Sequence, residues 1–205
     1  MKSLLLSCLL WLGAGVAHAQ SMREVWLSMP DSLVGYVNQS KRIEALDYRD
    51  MGLKLDVKNL LSGSTLVDTL TSDFMEVRLS EASTLQMKLL ATADSDSVVC
   101  VVRTFLGPDP ESVVDFYGRD WQPVAARFAW PAVDELVQKP DTMPTVRYEE
   151  LCRLMEPVLR SASLSIDENA ITVGLAVPML NVAEKEALSA ILKQRKLKWD
   201  GRVFK

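Results

Sequence analysis

The apolar and polar positions of this chain keep one period up to residue 52 and another after it. In the first stretch the apolar positions fall three and four residues apart. Met29, Leu33 and Val37 form one stripe beside Tyr36, and Ile43, Leu46 and Met51 form a second. This spacing predicts two helices. Ser28 caps the first, with Pro30 tolerated in its opening turn, and Ser40 caps the second, which Gly52 stops. From residue 53 the period becomes two. Leu53, Leu55 and Val57 alternate with Lys54, Asp56 and Lys58. Met75, Val77 and Leu79 alternate with Glu76, Arg78 and Ser80, and Leu85, Met87 and Leu89 with Gln86 and Lys88. These are predicted strands of an antiparallel sheet with one face covered and one wet. Residues 98–102 are apolar on both faces and predict a central strand. Residues 113–117 predict another, set off by the turn Gly107-Pro108-Asp109-Pro110.

The pattern then breaks at Pro123, Pro131, Pro140 and Pro144. Phe128 and Trp130 make this stretch too apolar for a disordered linker. It is read as a packed, proline-rich connection with a short helix at 132–138. A helix is predicted over 147–159, where Pro157 kinks or ends it. Residues 164–166 and 171–177 form a hairpin across Asp167-Glu168-Asn169. Asn181 caps a last helix from 182 to about 195. Trp199, Val203 and Phe204 close the chain in a strand interrupted by Asp200-Gly201. Strands joined by short links point to an α+β fold, with antiparallel sheets and helices packed on one face. Helices followed by strands occur twice. Residues 20–205 are therefore read as one domain, with two related halves at 20–124 and 145–205 joined through 125–144. No residue-level repeat accompanies them.

The first nineteen residues stand apart. Lys2 gives a positive start, residues 4–16 are apolar, and Ala17-His18-Ala19 has the small-x-small form of a cleavage site. This is a signal-peptide pattern, too short for a membrane span. Cys8 follows a lipoprotein-like Leu-Leu-Ser run, but too few residues precede it for an apolar core. Cleavage near Ala19 implies export to the periplasm or beyond, and it removes His18, the single histidine of the chain.

That loss narrows the chemistry. Ser-His-Asp and Cys-His catalysis and His-ligated zinc need an imidazole that the mature chain lacks. It also has no CxxC, SxxK, GxSxG, P-loop or GxGxxG motif. No metal and no cofactor is expected. The whole chain carries a net charge of −4. Its basic residues crowd the end, where Lys193, Arg195, Lys196, Lys198, Arg202 and Lys205 face one acid, Asp200. They read as a helix end and a guarded edge strand, and no nucleic-acid partner is expected. Cys100 and Cys152 both sit on apolar patterns and read as buried free thiols. Carboxylates remain as candidate catalysts: Asp94 with Asp96, Asp115 with Asp120, and Asp167 with Glu168. Each pair but the second lies in a turn, where acidic side chains bond their own backbone. Trp121, Trp130 and Trp199 are the candidate ligand-binding residues, able to line a sugar- or peptide-binding surface if exposed together, and core if apart.

Several stretches together resemble a known family. They are Met29-Pro30-Asp31-Ser32-Leu33, Arg42, Leu46-Asp47 and Met51, then Leu79-Ser80-Glu81, and Tyr117 through Trp121-Gln122-Pro123. The chain resembles a family of exported Bacteroidales proteins known only as a domain of unknown function. The resemblance implies a Gram-negative envelope address and carries over no catalytic or binding residue. It also gives weight to Asp-Ser/Thr-apolar triplets, the O-glycosylation pattern of exported Bacteroidetes proteins. Ser32, Thr69, Ser97 and Thr142 are the candidate acceptors, where composition alone gives about one. The expectation is an envelope binding module without catalysis, its partner a protein or a glycan. The alternatives are a carboxylate-dependent hydrolase acting on glycans, and a structural or assembly factor.

Overall fold

The computed structural model describes residues 21–94, 96–125 and 127–205. The expected signal peptide, residues 1–19, lies outside the described residues. At Ser21 a capping box starts the first helix: the Ser21 hydroxyl accepts from the Glu24 N–H, and the Glu24 carboxylate accepts from the Ser21 N–H at 2.8 Å. Helix α1 (Met22–Ser28) buries Met22, Val25 and Trp26. The helix expected over 28–37 is not formed. Ser28 ends α1, and only a 3₁₀ turn, Asp31–Leu33, follows. The reason is Arg42. Its guanidinium donates to the carbonyls of Met29 and Val37 at 2.5 and 2.8 Å and pairs with Asp31 at 2.9 Å. The intervening chain wraps round a buried cation that takes up its carbonyls. Helix α2 (Gln39–Asp50) starts at Asn38, not at the expected Ser40, and ends before Gly52, whose φ is +72°.

Six antiparallel strands follow in sequence order: β1 (Val57–Lys58), β2 (Ser64–Leu70), β3 (Phe74–Ser80), β4 (Ser83–Ala91), β5 (Ser97–Phe105) and β6 (Glu111–Tyr117). Of the strand expected from residue 53, only Val57 and Lys58 pair, with Thr65 and Ser64. The chain leaves the sheet before them, and Leu53 and Leu55 are exposed. β5 is interior, between β4 and β6, but one place from the edge. One sheet face carries Met75, Val77, Leu79, Leu85, Met87, Val99 and Val101 against α1 and α2. Full burial of each such side chain is worth about 1.5–3 kcal/mol.

The other face, expected to be wet, is covered over β4–β6 by a second antiparallel sheet. This is β7 (Leu159–Leu164), β8 (Ala170–Ala176) and β9 (Arg195–Lys198), in that order. Phe74, Leu90, Cys100, Val102 and Phe116 there meet Ala162, Leu164, Ile171, Val173 and Leu197. The layers are therefore helices, six-stranded sheet, three-stranded sheet. Helices α3 (Thr145–Arg153) and α4 (Val182–Ser189) join a third apolar cluster through Leu151 and Leu188, with Val177 and Ile191. α3 stops short of the expected residue 159, since β7 begins there, and α4 stops short of 195, where β9 begins. The 132–138 helix reduces to a 3₁₀ turn, Val133–Leu136.

Three polar side chains fix how the sheets dock. Ser112 Oγ accepts from the Ala162 N–H at 3.0 Å. Gln86 Oε1 accepts from the Leu164 N–H at 2.8 Å. Lys88, 2% exposed, donates to the Ile166 carbonyl at 2.7 Å and pairs with Asp73 at 3.0 Å. Together they satisfy the outer edge of β7 and its following loop, which no neighbouring strand covers.

Candidate functional site

The large-sheet face that meets the small sheet is apolar under the contact and polar at one end. On β4, Leu90 and the buried Lys88 give way to Gln86 and Thr84; on β5, Cys100 and Val102 give way to Thr104. At that end the sheets leave a groove of about 480 Å³. Thr84, Gln86 and Thr104 form one wall, Ser161, Ser163, Thr172 and Gly174 the other, and Pro110 and Gln194 the rim. The volume falls within the range of about 300–1,000 Å³ usual for small-molecule sites.

The deeper groups are braced. Gln86 donates through Nε2 to Glu76 Oε1 at 2.9 Å, and its Oε1 is held by Leu164 N–H and by the Ser163 hydroxyl at 3.3 Å. The Thr104 and Ser112 hydroxyls lie 2.8 Å apart. The outer groups are unspent: among the described residues, the side chains of Thr84, Ser161, Thr172 and Gln194 find no hydrogen-bond partner within the fold. Gly174 sits mid-strand on β8, opposite Ser161. Its backbone is outside the left-handed region, and an added Cβ would meet only Gln194 Cγ at 3.5 Å and Ser161 Oγ at 3.7 Å. Neither backbone strain nor crowding requires glycine here. Its missing side chain leaves space in that wall beside Ser161 and Gln194.

Two other hollows differ in character. One of about 350 Å³ opens where the chain leaves β2 before Val57, between α2 and β2. Two of its charges, Arg49 and Asp50, are committed. Arg49 donates to the carbonyls of Asp68 and Leu70 at 3.3 Å each, and the Arg23 guanidinium bonded to Asp50 holds that carboxyl below the usual range. A second, of about 290 Å³, lies at the far side of Ser112 and is lined by Glu111, Trp130, Val158 and Arg160.

The three candidate tryptophans are not gathered on one surface. Trp121 is 6% exposed, in the core between the helices and the large sheet, and donates to Ser28 Oγ at 3.2 Å. Trp130 and Trp199 lie on the opposite face. Trp199 stacks on Phe116 with ring centres 6.4 Å apart and donates to the Ala91 carbonyl at 2.6 Å. Trp130 meets Phe128 edge-on at 4.9 Å and lines the small hollow. None of the three lines the inter-sheet groove.

Of the candidate acceptors, Ser32 and Thr142 are exposed and Thr69 is half-buried on β2. Ser97 is buried, and its hydroxyl accepts from Arg119 Nε at 2.6 Å. One member of each carboxylate pair is taken up locally. Asp96 accepts from the Ser97 N–H, Asp120 from the Gln122 N–H, and Glu168 pairs with Lys196 at 2.7 Å, which lowers its pKa. Among the described residues, no three His, Cys, Asp or Glu side chains group as a metal site. Cys100 and Cys152 are free, and burial pushes the Cys100 thiol well up. In the basic tail, Arg195, Lys196 and Lys205 are paired with Glu135, Glu168 and Asp200. No helix among the described residues is long and apolar enough to cross a membrane.

The groove residues were not among the candidates read from the chain. One signal was available: Gly174 interrupts the apolar run from Ile171 to Val177, and an isolated glycine within a strand marks a bulge or a close approach.

Comparison with known proteins bears on the whole chain. The family model described as "Protein of unknown function (DUF3256)" matches residues 14–204. A solved structure of a domain of an uncharacterized protein from Porphyromonas gingivalis W83 superposes with a TM-score of 0.74 at 25% identity, covering 91% of this chain and 99% of that one. No curated protein matches.

Proposed function

We propose that this chain, which belongs to the DUF3256 family of proteins of unknown function, is an exported envelope protein that works by binding, with the inter-sheet groove as its seat. Gly174 carries this reading. A glycine inside a strand costs about 0.5–1 kcal/mol relative to alanine, and neither the backbone angles nor the neighbours at Gly174 call for one. A residue that the fold would gain by replacing, placed in the wall of a groove with unspent hydroxyls, fits selection for an open site. A glycosidase needs two carboxylates about 5–10 Å apart across a cleft. No carboxylate lines the groove, and Glu111 in the smaller hollow has Arg160, not a second acid, among its neighbours there.

Export and modification belong to the same proposal. The native protein is expected to begin at Gln20, which N-terminal sequencing checks. Ser32 and Thr142 are the acceptors open to a transferase, and an intact mass equal to that of the bare chain sinks that part. Binding is tested with a bimane dye on Ser163→Cys in a Cys152→Ser background. A saturable emission change on adding soluble glycan or peptide fractions of the native envelope, abolished by Gly174→Val, supports the reading. Release of new reducing ends from the glycan fraction by the unlabelled protein overturns it in favour of the hydrolase.

A further inference from the structure

The geometry points to a neutral saccharide, about a disaccharide in size, as the occupant of the inter-sheet groove. This rests on the groove being a binding site and adds the class of ligand. The lining contains hydroxyls and amides but no charged side chain, although charged residues make up 24% of the chain. A phosphate, sulfate or uronate buried there would lose water without gaining a cation. A purely apolar ligand would strip water from Thr84, Ser161, Thr172 and Gln194 and return no hydrogen bond. A ligand carrying many hydroxyls, each both donor and acceptor, meets both demands. Serine and threonine hydroxyls rotate to suit such partners, and the Gln194 amide offers both donor and acceptor.

The groove is also shaped for a ring. Gly174, beside Ser161 and Gln194, leaves that wall without a side chain where a pyranose ring could lie along the strand. The wall behind is fixed, because Gln86 is held at both ends of its amide by Glu76 and Leu164, and its free valence does not have to be ordered on binding. No aromatic ring lines the groove, so stacking is absent and affinity is weak, set by hydrogen bonds.

The test is a ¹⁵N–¹H titration of the mature chain with cellobiose, maltose, chitobiose and lactose. Digalacturonate and a phosphorylated hexose are the charged probes, and an extended tetrapeptide library is the control. At least one neutral disaccharide is expected to shift the amides of Thr84, Gln86, Ser161, Ser163, Thr172 and Gly174 saturably. The charged probes are expected to bind at least tenfold more weakly. Gly174→Val, a strand-compatible change whose fold the same spectrum verifies, is expected to abolish the shifts, and Gly174→Ala to weaken them. Equal or tighter binding of a charged probe overturns the assignment. A peptide that shifts these amides when no sugar does overturns the sugar and leaves the binding reading standing. Silence from every class of probe ends both.

Discussion

Two buried cations hold parts of the chain that secondary structure does not. Arg42, 1% exposed, grips Met29 and Val37, and Lys88, 2% exposed, grips Ile166. Lysine cannot span the two carbonyls that the guanidinium fork reaches, so Arg42→Lys is expected to cost about 2–3 kcal/mol in urea unfolding. Lys88→Met keeps most of the volume but loses the hydrogen bond to Ile166 and the ion pair with Asp73, for a cost of about 1–3 kcal/mol, and Lys88→Ala adds a cavity and costs more. Asp200 shows the opposite case, an exposed charge. The Lys205 ammonium bonded to it, and then the Val203 and Arg202 N–H groups, hold its pKa well below the usual carboxylate value. A depressed folded pKa contributes stability above the ordinary carboxylate range and loses it as pH falls through the folded value. An NMR titration of Asp200 should therefore find it ionised where free aspartate is protonated, and Lys205→Met should move it back up. Alternation read Lys88 as a wet-facing strand residue. Its burial was not legible, because the second sheet that covers it comes more than seventy residues later.

At the scale of elements, the strands with clean alternation were legible and those with interrupted periods were not. β3 and β4 fall where the period of two predicted them, β5 on the run that is apolar on both faces, and β6 after the expected turn. β2 was invisible because its register shifts between Val67 and Thr69, so its apolar residues do not alternate. The opening helix starts at Ser21, about two turns before the expected cap, since Ser28 looks like a cap and the Arg42 clamp that unwinds 29–37 is a tertiary contact. Helix α2 was nearly right, and its stop signal is testable. Gly52 has φ +72° with nothing within 4 Å of an added Cβ, so Gly52→Ala is expected to cost about 1–2 kcal/mol from conformation alone. The docking edge of β7 is the second test at this scale. Ser112→Ala leaves the Ala162 N–H without its acceptor, and hydrogen exchange at Ala162 should speed up well before exchange at Val173 on the far side of the ladder.

For the molecule as a whole, class was legible and layering was not. The order of elements predicted α+β with antiparallel sheets, and the large sheet does carry helices on one face. That a second sheet takes the other face depends on partnerships such as Ser112 with Ala162, which no local period encodes. The groove is a product of that docking. It forms between the polar end of the large sheet and the small-sheet face turned away from the apolar contact, so its residues are scattered over four strands and two loops. The tryptophans drew attention because they are large, yet they serve the two cores and the smaller hollow. On the proposed reading Gly174 links the layers to function, because an open wall beside the large sheet costs strand stability.

That claim can be tested without any ligand, by urea unfolding of Gly174→Val beside the parent chain. If the glycine is there to keep the groove open, valine raises the midpoint, by about 0.5–1 kcal/mol in stability, with an unchanged slope. A lower midpoint would mean that the fold itself needs glycine at this position, and the groove would lose its strongest argument.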